Sequence, residues 1–292
     1  MKQASTASRT AVLVCQGRAA AHGRLVPDRF TDPVAERFLT PDEVRVVEQV
    51  RRADPPSDWR QRTAYEQVRA CADVVVPRTV AIDDAVRGRP HDQVVDLGAG
   101  LDTRAWRMPE LSRATLFEVD HPASQSDKRE RAGDAPVLAG RLELVPVDFT
   151  HDDLDAALHG AGHNGAAPTT WVWEGVVPYL TRAEVTATAD VLARRSAAGS
   201  RLVVNYQEPG VGAALGRLLL RAVSRLAGSP DPLAGEPRRS SWSAQTMARL
   251  LADHGLVVRR DDDLLTLAEQ LAMPVTQRGS LRNGRVAVAD VS

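Results

Sequence analysis

The stretch Val94-Val95-Asp96-Leu97-Gly98-Ala99-Gly100-Leu101-Asp102-Thr103-Arg104 decides the fold. It opens within the apolar, β-branched run Gln93–Leu97, which reads as a buried strand. The strand passes into Gly-x-Gly and then into a helical pattern. Glycines at such a turn let the main chain approach a ligand closely, and the helix that follows offers N–H groups with no partner inside it. The turn departs from the dinucleotide fingerprint Gly-x-Gly-x-x-Gly/Ala, because Thr103 holds the last position. Asp96, at the strand mouth, suits a cationic, amine-bearing ligand better than a pyrophosphate.

Outward from this turn, short β-branched runs alternate with helical patterns. Ala114–Val119 leads to Asp120, Leu142–Val147 to Asp148 and Thr170–Trp173 to Glu174. Arg201–Tyr206, Leu256–Arg260 and Arg285–Ala289 read as three further strands. This alternation predicts an α/β, Rossmann-like fold: a seven-stranded, mostly parallel sheet with helices on both faces. In such sheets ligands bind beyond the carboxyl ends of the strands.

Residues 1–90 lack the alternation. Thr10–His22, Pro33–Leu39, Asp42–Arg52 and Ala64–Arg87 read as helices. They are expected to cap the sheet's ligand edge as part of one domain with residues 91–292. An insertion at about residues 207–242 contains Val211–Leu226, apolar at helical spacing, and then a stretch rich in Pro, Gly and Ser. It reads equally as a pocket lid or a structural insertion, and its helix would serve as well for a homodimer face.

The strand ends carry the candidate ligand groups. Asp120 stands 22 residues after Gly98, where a carboxylate accepts from two ribose hydroxyls. Asp148 is in register to reach an adenine amino group, and Phe149 beside it to pack on the ring. His121 falls on the same side. Glu174 and Gly175 close the fourth strand across the switch point from Gly98, near the reacting end of a ligand. Each acid has a plain structural alternative, an Asx-turn for Asp120 and a cap for Glu174.

With 37 Lys and Arg against 38 Asp and Glu, the chain has no general electrostatic attraction to nucleic acid or to an anionic membrane. Cys15 and Cys71 form neither a metal spacing nor a disulfide framework, in keeping with a reducing cytosol. No run of 18 apolar residues is present, and MKQASTASRT lacks the apolar core of a secretory signal. A cytoplasmic protein is expected, with a small-molecule substrate and no metal.

The sequence resembles the leucine carboxyl methyltransferase family, including its bacterial polyketide-tailoring O-methyltransferase branch. Thr10–Ala20, Asp32-Pro33, Pro77–Asp84, Val94–Arg104, Phe117–Pro122, Val147–Thr150 and Trp173–Leu180 carry the likeness, which spans roughly residues 6–206. The resemblance implies S-adenosylmethionine as cofactor. It places Arg78 at the cofactor's carboxylate, Gly98 at its methionine part, Asp120 at the ribose, Asp148 at the adenine and Glu174 at the amine, and Ala99 and Gly100 of the same turn are further cofactor-binding candidates. Arg18 falls in the N-terminal helix that closes the site in the family.

A methyl acceptor must attack in line with the leaving sulfur, so the protein chiefly supplies position and a dry cleft. An ionised carboxylate needs no general base, whereas a phenol benefits from one. No histidine falls at the ends of the fourth or fifth strand, which favours a carboxylate or an acidic hydroxyl. Tyr179 and Tyr206 are candidates to orient the acceptor oxygen, and Arg18 and Arg24 to contact the substrate. A nicotinamide-dependent oxidoreductase and a non-catalytic cofactor-binding protein remain as alternatives.

Overall fold

The computed structural model describes residues 8–149, 151–209, 239–275 and 278–291. Seven strands form one sheet: β1 (Gln93–Leu97), β2 (Thr115–Asp120), β3 (Arg141–Pro146), β4 (Thr169–Trp173), β5 (Arg201–Gln207), β6 (Leu256–Asp263) and β7 (Gly284–Val291). Their order is β3-β2-β1-β4-β5-β7-β6. The first five run parallel, and β7 is antiparallel to both of its neighbours. The expected strands are all present, the last two longer than their apolar runs suggested.

Side-chain alternation sends each central strand to two cores. Trp171 and Trp173 of β4 enter one, with Leu154, Leu158, Val185, Leu192 and Met247 from the helices α6 (Leu154–Gly160), α7 (Arg182–Arg194) and α8 (Ala244–Asp253). Val172 enters the other, with Cys15, Ala19, Val76 and Val80 from α1 (Arg9–Ala21) and α3 (Trp59–Arg87). Both faces of the sheet are therefore covered, which is why its strands read as continuous apolar runs rather than as alternating ones.

Local sequence sets the N-terminal helices. Ser8 caps α1, and Asp58 caps α3 by accepting from the Arg60 and Gln61 N–H groups. Between them α2 (Pro41–Arg52) begins with a Thr40/Glu43 capping box. The Pro33–Leu39 pattern forms only a short 3₁₀ turn, Ala35–Phe38. Packing of α1 on α3 is close: a side chain at Gly17 would meet Cys71 Sγ at 3.1 Å.

The helix expected after the glycine turn is a single turn, α4 (Arg104–Arg107). Its first N–H is not open to a ligand, since Arg104 N donates to Asp102 Oδ1 (2.6 Å). Val211–Leu226 lies outside the described residues. Among the described residues no helix is long and apolar enough to cross a membrane.

Candidate cofactor and methyl-transfer site

A cavity of about 240 Å³ lies at the carboxyl ends of β1, β2 and β4. Order and direction place it there: β1 is followed on one side by β2 and on the other by β4, so the connections leave in opposite directions and open a crevice. Asp96 and Gly98–Asp102 form one wall, Asp120, Ser124 and Phe149 a second, and Glu174–Val176 with Tyr179 a third. Arg78 reaches it from α3, and α1 covers it with Thr10, Ala11, Val14 and Arg18.

The glycine turn is shaped by its neighbours as much as by any ligand. Gly98 has φ +73°, and a Cβ there would fall 2.2 Å from Val176 Cγ2. Gly100 has φ +47°, and its Cβ would meet the Ala11 Cβ of α1 at 3.1 Å. Thr103, the residue that breaks the dinucleotide fingerprint, is fully buried and its hydroxyl donates to Asp32 Oδ2 (2.7 Å). A third glycine would lose that bond.

Asp32 is a hub that sequence reading passed over, although Asp32-Pro33 carried part of the family likeness. Its Oδ2 also accepts from Arg18 Nε (2.9 Å), and its Oδ1 accepts from the Ala35 N–H (3.0 Å). Arg18 in turn donates to the Leu101 carbonyl (2.5 Å). One buried carboxylate thereby ties α1, the Ala35–Phe38 turn and the glycine turn together.

The charged end of the cavity is a network of alternating sign. Arg78 Nε donates to Glu174 Oε1 (2.7 Å), and Arg104 lies 2.9 Å from Glu174 Oε2. Arg104 also bonds Asp102 (2.7 Å) and Asp83 (2.8 Å). Burial pushes the Glu174 carboxyl up, but Arg78 and Arg104 outweigh it and hold it below the usual range. Burial likewise opposes ionisation of Asp102, and Arg104 and Arg18 overcome it. Asp96 is different: burial, reinforced by Asp102, lifts its carboxyl well above the ordinary value despite Arg104 and Lys128.

Asp120 lines the cavity while accepting from the Gly100 N–H (2.5 Å) and the His121 N–H (2.6 Å). Ala99, Gly100, Phe149, Gly175 and Tyr179 line it too. Asp148 and His121 do not; they face one another at 3.8 Å. β3 ends at Pro146, and Asp148 already belongs to the turn before α6, its N–H donating to Asp152 (2.8 Å).

Two expected substrate contacts lie elsewhere. Tyr206 is fully buried, and its hydroxyl donates to Asp261 Oδ2 (2.6 Å) in the core shared with Leu202 and Val204. Arg24 follows the end of α1, where Gly23 turns the chain at φ +69°, and it donates to the Val50 carbonyl at the end of α2 (2.9 Å). Neither lines the cavity. The residues of α1 that do line it were missed, except Arg18. Their signal was the spacing 10, 11, 14 and 18, one face of a helix.

Sheet order, glycine turn and cavity define a Rossmann-like methyltransferase fold. A possible exported protein from Bordetella parapertussis has a similar crystal structure, with TM-score 0.55 and 14% identity, covering 99% of this chain and 98% of that one. The chain belongs to the leucine carboxyl methyltransferase family, whose model matches residues 11–193. A Mycobacterium marinum protein named "Putative S-adenosyl-L-methionine-dependent methyltransferase" is 35% identical over 215 residues, which cover 69% of this chain. The match spans 66% of that relative's own length. A relative of the same name from Mycobacterium sp. (strain MCS) is 33% identical over 188 residues, covering 62% of this chain and 72% of the relative.

Proposed function

We propose that the protein transfers a methyl group from S-adenosylmethionine to a carboxylate or acidic hydroxyl of a small molecule, in secondary metabolism. The observation that carries the reading is the donor set of one cavity: Asp96, Asp120 and Glu174 with Arg78, around Gly98–Gly100. This set fits the group. A carboxylate with a raised pKa is one that a cationic ligand stabilises. Arg78 supplies a planar fork for the amino-acid carboxylate, Glu174 an acceptor for the ammonium, and Asp120 an acceptor for sugar hydroxyls.

When bound, the cofactor supplies an activated methyl on a positively charged sulfur. The chain's part is to hold the acceptor oxygen in line behind that carbon. Arg78, Asp120 and Glu174 would hold the group, which would supply the methyl and be released as a neutral thioether. Val14, Val176 and Tyr179 give the cavity apolar surface that would keep water from the transfer. A carboxylate acceptor arrives ionised at neutral pH and needs no general base. Tyr179 is the lining hydroxyl of choice for orienting it.

Calorimetric titration with S-adenosylmethionine tests the reading, with Arg78→Ala and Asp120→Ala in parallel and nicotinamide cofactors as control. Micromolar binding lost in both variants supports it. Turnover is then sought with small aromatic and polyketide-like acids. A folded protein that binds nicotinamide cofactors and not S-adenosylmethionine overturns it.

A further inference from the structure

The third wall of the cavity is a short link between β4 and α7, from which Gly175, Val176 and Tyr179 line it. The regular structure in this link is one 3₁₀ turn, Val177–Tyr179. A turn this short closes few bonds of its own, so outside partners decide where it sits. Residues 239–242 supply them. The Arg239 and Ser240 N–H groups both donate to the Pro178 carbonyl (2.7 and 3.3 Å). The Ser240 hydroxyl donates to the Val177 carbonyl (3.0 Å) and accepts from the Trp242 indole N–H (3.2 Å). The segment is itself held. Arg239 bonds both carboxylate oxygens of Glu184 (3.2 Å), the acid of the capping box that starts α7. Arg182 donates to the Ser241 carbonyl (2.8 Å) and lies 4.3 Å from the centre of the buried Trp242 ring.

We infer that Ser240 is a positioning residue for the cofactor site: from outside the cavity it clamps the turn that sets Val176 against Gly98 and Tyr179 in the wall. The inference rests on the proposed cofactor. Val176 Cγ2 fills the space that a side chain at Gly98 would need, so a displaced turn opens the wall beside the glycines. A ligand that needs the wall in place binds more weakly when the free protein holds it there for less of the time.

Ser240→Ala and Ser240→Thr test this by amide hydrogen exchange and by calorimetry with S-adenosylmethionine. The Tyr179 and Leu180 N–H groups close the turn onto the Val176 and Val177 carbonyls. In ligand-free Ser240→Ala they should exchange about three- to tenfold faster, the worth of one hydrogen bond, while the amides of β1 and β2 keep the parent's rates. Affinity for S-adenosylmethionine should fall by a similar factor. Ser240→Thr keeps the hydroxyl and should keep both values near the parent's. In the parent, saturating S-adenosylmethionine should slow exchange of the Arg239 and Ser240 amides, the reciprocal of the same coupling. Parent rates at Tyr179 and Leu180 in Ser240→Ala overturn the inference. So does faster exchange throughout β1 and β2, which marks a general loss of stability. Faster exchange at the turn with unchanged affinity leaves a structural contact and overturns the positioning role. A parent protein that binds no S-adenosylmethionine overturns the cofactor reading, and the exchange rates still decide whether Ser240 holds the turn.

Discussion

Arg78 Nε and Glu174 Oε1 meet at 2.7 Å across the floor of the cavity, joining the middle of α3 to the end of β4 over 96 residues of sequence. Both side chains are about nine-tenths buried. The two groups assigned by family likeness to opposite ends of an amino acid thus hold each other. An amino-acid ligand would enter by matching both charges, its carboxylate to Arg78 and its ammonium to Glu174.

Arg78→Ala should therefore weaken cofactor binding by more than tenfold, the loss of a charge-assisted contact worth roughly 1.5–3 kcal/mol. Stability should fall less than the roughly 3–5 kcal/mol typical of a broken buried pair, because Arg104 still faces Glu174. Arg78→Lys should not rescue binding, since an ammonium cannot reproduce the fork. Calorimetry beside urea unfolding reads both quantities. Unaltered affinity in Arg78→Ala would remove Arg78 from the cofactor site, and unaltered affinity in Arg78→Lys would show that the charge suffices without the fork.

Gly98→Ala is expected to damage both stability and binding. The new Cβ meets Val176 Cγ2 at 2.2 Å, and the backbone sits at φ +73°. Left-handed strain and overpacking together come to roughly 2–5 kcal/mol. Adding Val176→Ala removes the overlap but leaves the φ penalty, so the double variant should recover part of the loss. If Gly98→Ala unfolds at the parent's urea midpoint, the turn has room that this geometry denies.

Much of this was legible in sequence because it is local. Strands β1 to β5 announce themselves as β-branched runs, and of the acids that follow β2, β3 and β4 the first and last line the cavity while Asp148 does not. Asp120 and Glu174 were found in that way. Tyr206 was not placed correctly, although period two puts it on the face of Leu202 and Val204. Which face meets a cavity is a property of the folded sheet. Asp32 was legible only as part of a family pattern, since its partners Arg18 and Thr103 lie 14 and 71 residues away. The lining face of α1 was missed for the same reason: its counterpart, Gly100, is about ninety residues downstream.

His163 should make the protein acid-sensitive. It is buried at the foot of β4, its Nε2 3.0 Å from the Thr169 hydroxyl, with Phe117 and Trp171 against its ring. Burial, helped by Arg195, lowers its pKa from 6.5 to about 4. Between those values the unfolded chain binds a proton that the folded one refuses, so stability drops as pH falls from 6.5 to about 4. His163→Gln should lose less stability than the parent between pH 7 and pH 5. Any packing cost of the substitution cancels in that difference, which urea titrations at the two pH values measure. Equal losses would assign the acid sensitivity to other groups.

Asp96 predicts a pH dependence for binding that runs in the same direction. Its carboxyl is raised by burial and by Asp102 and Glu118, against Arg104 and Lys128, so it holds its proton to a higher pH than an ordinary carboxyl does. A cationic ligand prefers the ionised form. Affinity for S-adenosylmethionine should therefore rise with pH through the Asp96 titration, and binding below its end should release protons. Asp96→Asn should flatten that profile while leaving the Arg78–Glu174 pair in place. Calorimetry in buffers of different ionisation enthalpy counts the protons directly. Release by the parent that vanishes in Asp96→Asn assigns the proton to this carboxyl. Equal release by both would move it to another group, with Glu118 the next to test, its carboxyl raised to about 7 by burial beside Lys128.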